Sequence, residues 1–148
     1  KASIEKLGQL NLWRLAIKPG KPLAYGKVGD TPIIGLPGNP GAVFVTFCII
    51  ARACLLKHQG HTDYELKPVR YPLGFSISRP GKRREFLRVR LSTQGDEARL
   101  EQYPNQRSGV LSSASWSSGF AIIKENTAPQ AGELIEYVSF NDIFGIGA

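Results

Sequence analysis

The feature that most constrains this chain is the passage from Ile33 to Leu56, where a short strand runs through a glycine- and proline-rich turn into a long apolar stretch. The turn reads Gly35-Leu36-Pro37-Gly38-Asn39-Pro40-Gly41. Asn39 suits the N-cap, because its side-chain oxygen can accept from the unsatisfied amides of a helix start. Pro40 suits the first helical position, where its missing N–H costs nothing and its φ is preset. The following run, Ala42 to Leu56, is interrupted by Thr46 and Arg52 and predicts a helix that reaches Lys57 or His58 and stops at Gly60. A helix apolar on nearly every side has to be buried, so the fold must supply cover around it. The run is too short to span a bilayer, and the chain reads as soluble.

Before that passage, residues 1–7 read as the last turns of a helix, with Ile4 and Leu7 at core spacing and Gly8 as its left-handed cap. Leu10 to Ile17 alternates like a strand, and Lys18-Pro19-Gly20-Lys21 is a turn. Leu23–Val28 and Thr31–Leu36 flank Gly29-Asp30, which predicts a hairpin. After Gly60 the character changes to short alternating runs at Val69–Ser78, Glu85–Leu91, Ala98–Tyr103, Phe120–Lys124 and Glu133–Ser139. Turn signals separate them, which predicts a small all-β domain. The expected fold is therefore α/β followed by all-β, with residues 1–64 in the first part, 65–148 in the second and the boundary near 61–68. A part of about 60 residues folds alone only marginally, and these elements give too little cover for such a helix. The sequence has no methionine and starts with Lys1. The expectation is that the natural chain begins upstream.

Nineteen Lys and Arg against twelve Asp and Glu give a net charge of +7. That favours anionic partners such as nucleic acid, anionic lipid or phosphorylated small molecules, or serves plain solubility. Cys48 and Cys54 on one helix would lie roughly 9 Å apart along its axis, too far for a disulfide. Two buried free thiols suit a reducing cytoplasm.

Three basic or glycine-rich features could carry chemistry. The strand-turn-helix at Ile33–Gly41 offers close backbone approach and helix N-terminal amides to an anion, although it lacks the Gly-Lys-Ser/Thr of a P-loop and the dinucleotide spacing. The alternative is a simple strand-to-helix connection, which geometry alone favours. Lys18 and Lys21 bracket a rigid turn and either point into one site or form a solvated pair; both motifs are expected to end strands of one small sheet, where ligands of open α/β folds gather. Arg84, Phe86, Arg88 and Arg90 share one face if Glu85–Leu91 is a strand. Such a row suits phosphates or single-stranded nucleic acid, or is a solvated face. His58 and His61 have no third ligand in sequence, and the serines at 112–118 lack a nucleophile-elbow pattern. What remains is an anion-binding apparatus with no evident acid, base or metal ligand.

At Leu15-Ala16-Ile17-Lys18-Pro19-Gly20-Lys21-Pro22-Leu23-Ala24-Tyr25-Gly26 the sequence resembles the molybdopterin molybdenumtransferase (MoeA) family, which includes the E domain of gephyrin. Gly35-Leu36-Pro37-Gly38-Asn39-Pro40 resembles its second signature. Glu85-Phe86-Leu87-Arg88, Gln106-Arg107-Ser108 and Phe140-Asn141 resemble its small C-terminal β domain more loosely. The resemblance covers essentially the whole chain. It implies the C-terminal part of a molybdopterin-binding α/β domain plus a small β-barrel-like domain. It also implies a cytoplasmic reaction in which adenylylated molybdopterin and molybdate yield AMP and a molybdenum-loaded dithiolene.

Carried over, Lys18 and Lys21 would hold phosphate or molybdate charge as catalytic residues. Gly20, Pro37, Gly38, Asn39, Pro40, Arg88 and Ser108 would bind substrate, in a cleft completed by the second subunit of a homodimer. The family reaction implies Mg²⁺, with its acidic ligands upstream and no metal ligand in this chain. The family's Thr-Thr-Gly-Gly segment is absent, and Gly41-Ala42 stand where many members have Val-Ser. The expectation is a partial pocket without turnover, with no nucleic-acid or membrane partner. The alternatives are a gephyrin-like scaffold and a nucleic-acid module using Arg79–Arg90.

Overall fold

The computed structural model describes residues 2–20, 22–105 and 112–145, a mixed α/β fold made mostly of sheet. A short helix at Ala2–Leu7 leads into β1 (Gly8–Arg14) and then β2, only Ile17–Lys18. β3 (Pro22–Val28) and β4 (Thr31–Gly35) form the expected hairpin. Gly29 takes φ of 57° there, the left-handed value that a primed two-residue turn asks of glycine. The three strands pair antiparallel in the order β1-β3-β4.

Two local expectations are corrected here. Gly8 is not a left-handed cap: it opens β1, where a Cβ would stand 1.8 Å from the Lys27 carbonyl oxygen. Close strand pairing, not turn geometry, demands glycine at that position. Leu7 is 71% exposed, so the helix before it does not place that residue in a core.

The long helix runs from Pro40 to His58. Asn39 holds extended backbone and accepts from the Gly41 and Ala42 amides at 3.1 and 3.3 Å. The helix widens into π geometry from Phe47 to Ala51 and returns to α over Arg52–His58. At its end the His61 amide donates to the Leu56 carbonyl, and Gly60 adopts φ of 84°. Over its full 19 residues the helix is long and apolar enough to cross a membrane. That corrects the shorter run read from the sequence. The expected burial on every side is also corrected: one side of the helix packs on the sheet, with Val45 and Cys48 against Phe86, Phe120, Val138 and Ile143. Its cover is one-sided, because Phe47 and Leu55 are 37% and 46% exposed.

The remaining strands are β5 (Val69–Pro72), β6 (Arg84–Gln94), β7 (Glu97–Gln102), β8 (Gly119–Ile123) and β9 (Leu134–Ser139). Short helices occupy Ser112–Trp116 and Phe140–Phe144. The second sheet is ordered β2-β6-β8-β9-β5, and β7 pairs with the far half of β6. Its unexpected member is β2, which runs parallel to the start of β6 with Ile17 opposite Arg84 and Lys18 opposite Glu85. Beyond β5 the sheet curls, so that Leu73 bridges Leu100 and the Gly74 amide donates to the Leu100 carbonyl at 2.8 Å.

The curled sheet has two cores. One encloses Leu73, Leu87, Val89, Leu100, Ala121, Ile123 and Tyr137. The opposite face carries Phe86, Phe120 and Val138 to the long helix. Successive residues of a strand alternate between faces, so β6 and β8 feed both cores. Burial on both faces is why β8 reads as the unbroken run Phe120-Ala121-Ile122-Ile123.

Candidate anion-binding site

The Lys18 turn is positioned from two sides. The Arg84 amide donates to the Ala16 carbonyl at 3.0 Å, and Arg83 Nη1 donates to the Ile17 carbonyl at 3.1 Å. Lys18 Nζ lies 2.8 Å from Glu85 Oε1. The Lys18–Pro19 peptide is cis, and Gly20 follows with φ of 104°. Gly20 lies against the long helix, where a Cβ would meet Thr46 Oγ1 at 2.8 Å and Ala42 Cβ at 3.8 Å. Thr46 is fully buried, and its hydroxyl has no hydrogen-bond partner among the described residues.

The two motifs were expected to end strands of one sheet. They end strands of different sheets, because β2 joins the six-stranded sheet and β4 the three-stranded one. The long helix relates them instead, with Asn39 capping it and Gly20 resting on its second turn. Pro37 is buried, whereas Gly38, Asn39 and Pro40 are exposed. Open space surrounds the position of a Cβ on Gly38, so the backbone is approachable there. Asn39 Oδ1 already takes the Gly41 and Ala42 amides, which removes them as donors to an outside anion. Lys21 and Ser108 lie outside the described residues.

The arginine row is also corrected. Phe86 is 6% exposed and Arg88 1%, because their face of β6 meets the helix-side core and not solvent. Burial holds the Arg88 guanidinium below its ordinary pKa. Arg84 pairs with Glu125 at 3.3 Å. Arg90 lies over the Trp116 ring, 4.6 Å from its centroid, and donates through Nε to the Trp116 carbonyl at 3.0 Å. A continuous solvated row of the kind a phosphate chain would track does not form.

Lys18 and Arg88 are not brought together. Ile17 packs into the helix-side core, which places Lys18 and its opposite number Glu85 on the other face. Arg88 shares Phe86's face by the two-residue period. Sequence reasoning missed the Glu85 contact, and only the Glu85-Phe86-Leu87-Arg88 pattern pointed to that stretch. Among the described residues, no three His, Cys, Asp or Glu side chains gather as a metal site. Cys48 is buried and Cys54 only partly so, which corrects the expectation of two buried thiols.

Residues 70–140 match the family described as the MoeA C-terminal region (domain IV). The chain is 32% identical, over 98% of its length, to the molybdopterin molybdenumtransferase of Haemophilus influenzae, of which it covers 37%. The chain belongs to the MoeA family. A putative molybdopterin biosynthesis protein of Methanocaldococcus jannaschii is 29% identical over 90% of this MoeA-family chain, which covers 31% of that relative. The chain thus spans about a third of the length of these curated relatives. Among solved structures, the molybdopterin biosynthesis MoeA protein of Pyrococcus horikoshii superposes with a TM-score of 0.71 at 29% identity, over 94% of this chain and 34% of that one. A molybdenum cofactor biosynthesis protein of Pyrococcus furiosus gives 0.68 at 26% identity, over 88% and 46%.

Proposed function

We propose that this chain is part of a molybdopterin molybdenumtransferase of molybdenum cofactor biosynthesis, acting on adenylylated molybdopterin and molybdate with release of AMP. The observation that carries the reading is the 32% identity with the Haemophilus influenzae enzyme along 98% of this chain. In this reading residues 1–64 belong to the molybdopterin-binding α/β domain and 65–148 form a small β-barrel-like domain. The return of Leu73 to Leu100 supports the barrel-like description.

Lys18 and Lys21 hold the oxyanion charge. Gly20 and the Pro37–Pro40 loop form the wall of the pocket, with Gly38 as its open backbone. Arg88 and Ser108 act from the β domain, in a cleft that a second subunit of a cytoplasmic homodimer completes. The opposite-face placement of Lys18 and Arg88 fits a cleft shared between subunits better than a site within one. The described residues offer no gathered acidic set, and Mg²⁺ of the full-length enzyme takes its acidic ligands from the upstream part in this reading. Molybdate is a substrate.

The test joins this chain to the upstream part of the Haemophilus influenzae enzyme and measures AMP release from adenylylated molybdopterin and molybdate. Release by the chimera, its loss on Lys18→Ala, and silence from the 148-residue chain alone are expected. A well-folded chimera that releases no AMP sinks the reading.

A further inference from the structure

We infer that Glu85 is a built-in competitor for the anion site at Lys18, a positioning residue that holds the ammonium when no anion is present and must release it when one binds. The inference rests on the reading that Lys18 meets an oxyanion.

The geometry makes the two partners unequal. Glu85 sits in β6 with strands on both sides, opposite Lys18 of β2 and Ile123 of β8, so its backbone is held from two directions. Lys18 closes a two-residue strand at the start of a turn. The lysine side chain is 55% exposed and the glutamate 21%. The nearby Arg84 is taken by Glu125 at 3.3 Å, and Arg83 Nη1 by the Ile17 carbonyl. The carboxylate is therefore the fixed member and the ammonium the one free to swing.

An anion approaching Lys18 meets an ammonium already neutralised at 2.8 Å. It must separate that pair and then tolerate a like charge a few ångströms away, which weakens its binding. The same carboxylate keeps the long lysine side chain at the mouth of the turn, which limits the ordering needed on binding. Glu85 thus sets how strongly an anion must interact to be retained.

The experiment is calorimetric titration of molybdate, at low salt, into the chimera that joins this chain to the upstream part of the Haemophilus influenzae enzyme, with thermal melts by circular dichroism confirming that each variant folds. Glu85→Gln is expected to tighten molybdate binding by about three- to tenfold. Glu85→Asp retains the charge and stays within about twofold of the parent. Lys18→Ala weakens binding and abolishes the gain from Glu85→Gln. A purely structural role for Glu85 predicts weaker binding in Glu85→Gln, with or without Lys18. No gain, or a gain that persists in Lys18→Ala, overturns the competitor assignment while leaving Lys18 as an anion residue. If neither the parent nor Glu85→Gln binds molybdate, the Lys18 anion reading fails and the inference falls with it.

Discussion

A Cβ placed on Gly20 would stand 2.8 Å from the Thr46 hydroxyl oxygen, so the lysine turn rests directly on the long helix. Gly20 also holds φ of 104°, a conformation that side chains with a Cβ rarely adopt. Gly20→Ala is therefore expected to cost about 1–3 kcal/mol from the backbone alone, with the contact adding to it. Urea denaturation measures this. An unchanged midpoint would mean that the turn is not held against the helix in solution.

Phe120 is fully buried, with ring centroids 5.8 Å from Phe44, 6.4 Å from Phe86 and 5.1 Å from Phe140. Phe120→Ala should destabilise by about 3–5 kcal/mol. Phe44 belongs to the long helix, so a double-mutant cycle between the two reports how the helix docks on the sheet. A coupling of about 0.5–1.5 kcal/mol is expected. Strict additivity would place the helix elsewhere in solution.

Asn39→Ala leaves the Gly41 and Ala42 amides without their side-chain acceptor and should cost about 1 kcal/mol. Asn39→Asp keeps the acceptor and should stay close to the parent. Thermal melts of both variants separate a capping role from a generic surface effect, since only the alanine should lower the melting temperature.

Burial pushes the Cys48 thiol from its ordinary 9.0 up to about 12, with the Arg52 charge opposing the shift. The folded chain keeps a proton that the unfolded chain gives up above about pH 9. The stabilising contribution is complete below pH 9 and is lost as the pH rises toward 12. Denaturation midpoints should therefore fall over that range. Cys48→Ala, though less stable at neutral pH, should fall less steeply. Parallel slopes for the two proteins would refute the assignment to Cys48.

Much of the local structure was legible because it depends on residues close together in the chain. Asn39 and Pro40 marked the helix start, Gly60 its end, and Gly29-Asp30 the hairpin, each through capping or turn geometry acting over a few residues. The alternating runs marked β6 to β9 for the same reason. The candidate site was only partly legible. The lysine turn and the Pro37–Pro40 loop stood out by composition, but Glu85 carried no signal that tied it to Lys18. Arg88 read as solvent-facing because a strand's period shows that two faces differ and not which one is covered.

The sequence by itself determined where elements begin and end, since sterics, caps and turn residues act locally. Only the tertiary structure decided that Ile17 and Lys18 leave the first sheet to pair with Arg84 and Glu85. It alone placed Arg88 beneath cover and left Phe47 and Leu55 exposed. Those outcomes depend on which apolar faces bury one another across long stretches of chain. Hydrophobic burial is non-directional and proportional to area, so it selects partners by the fit of the whole fold and leaves no local mark at the residues it joins.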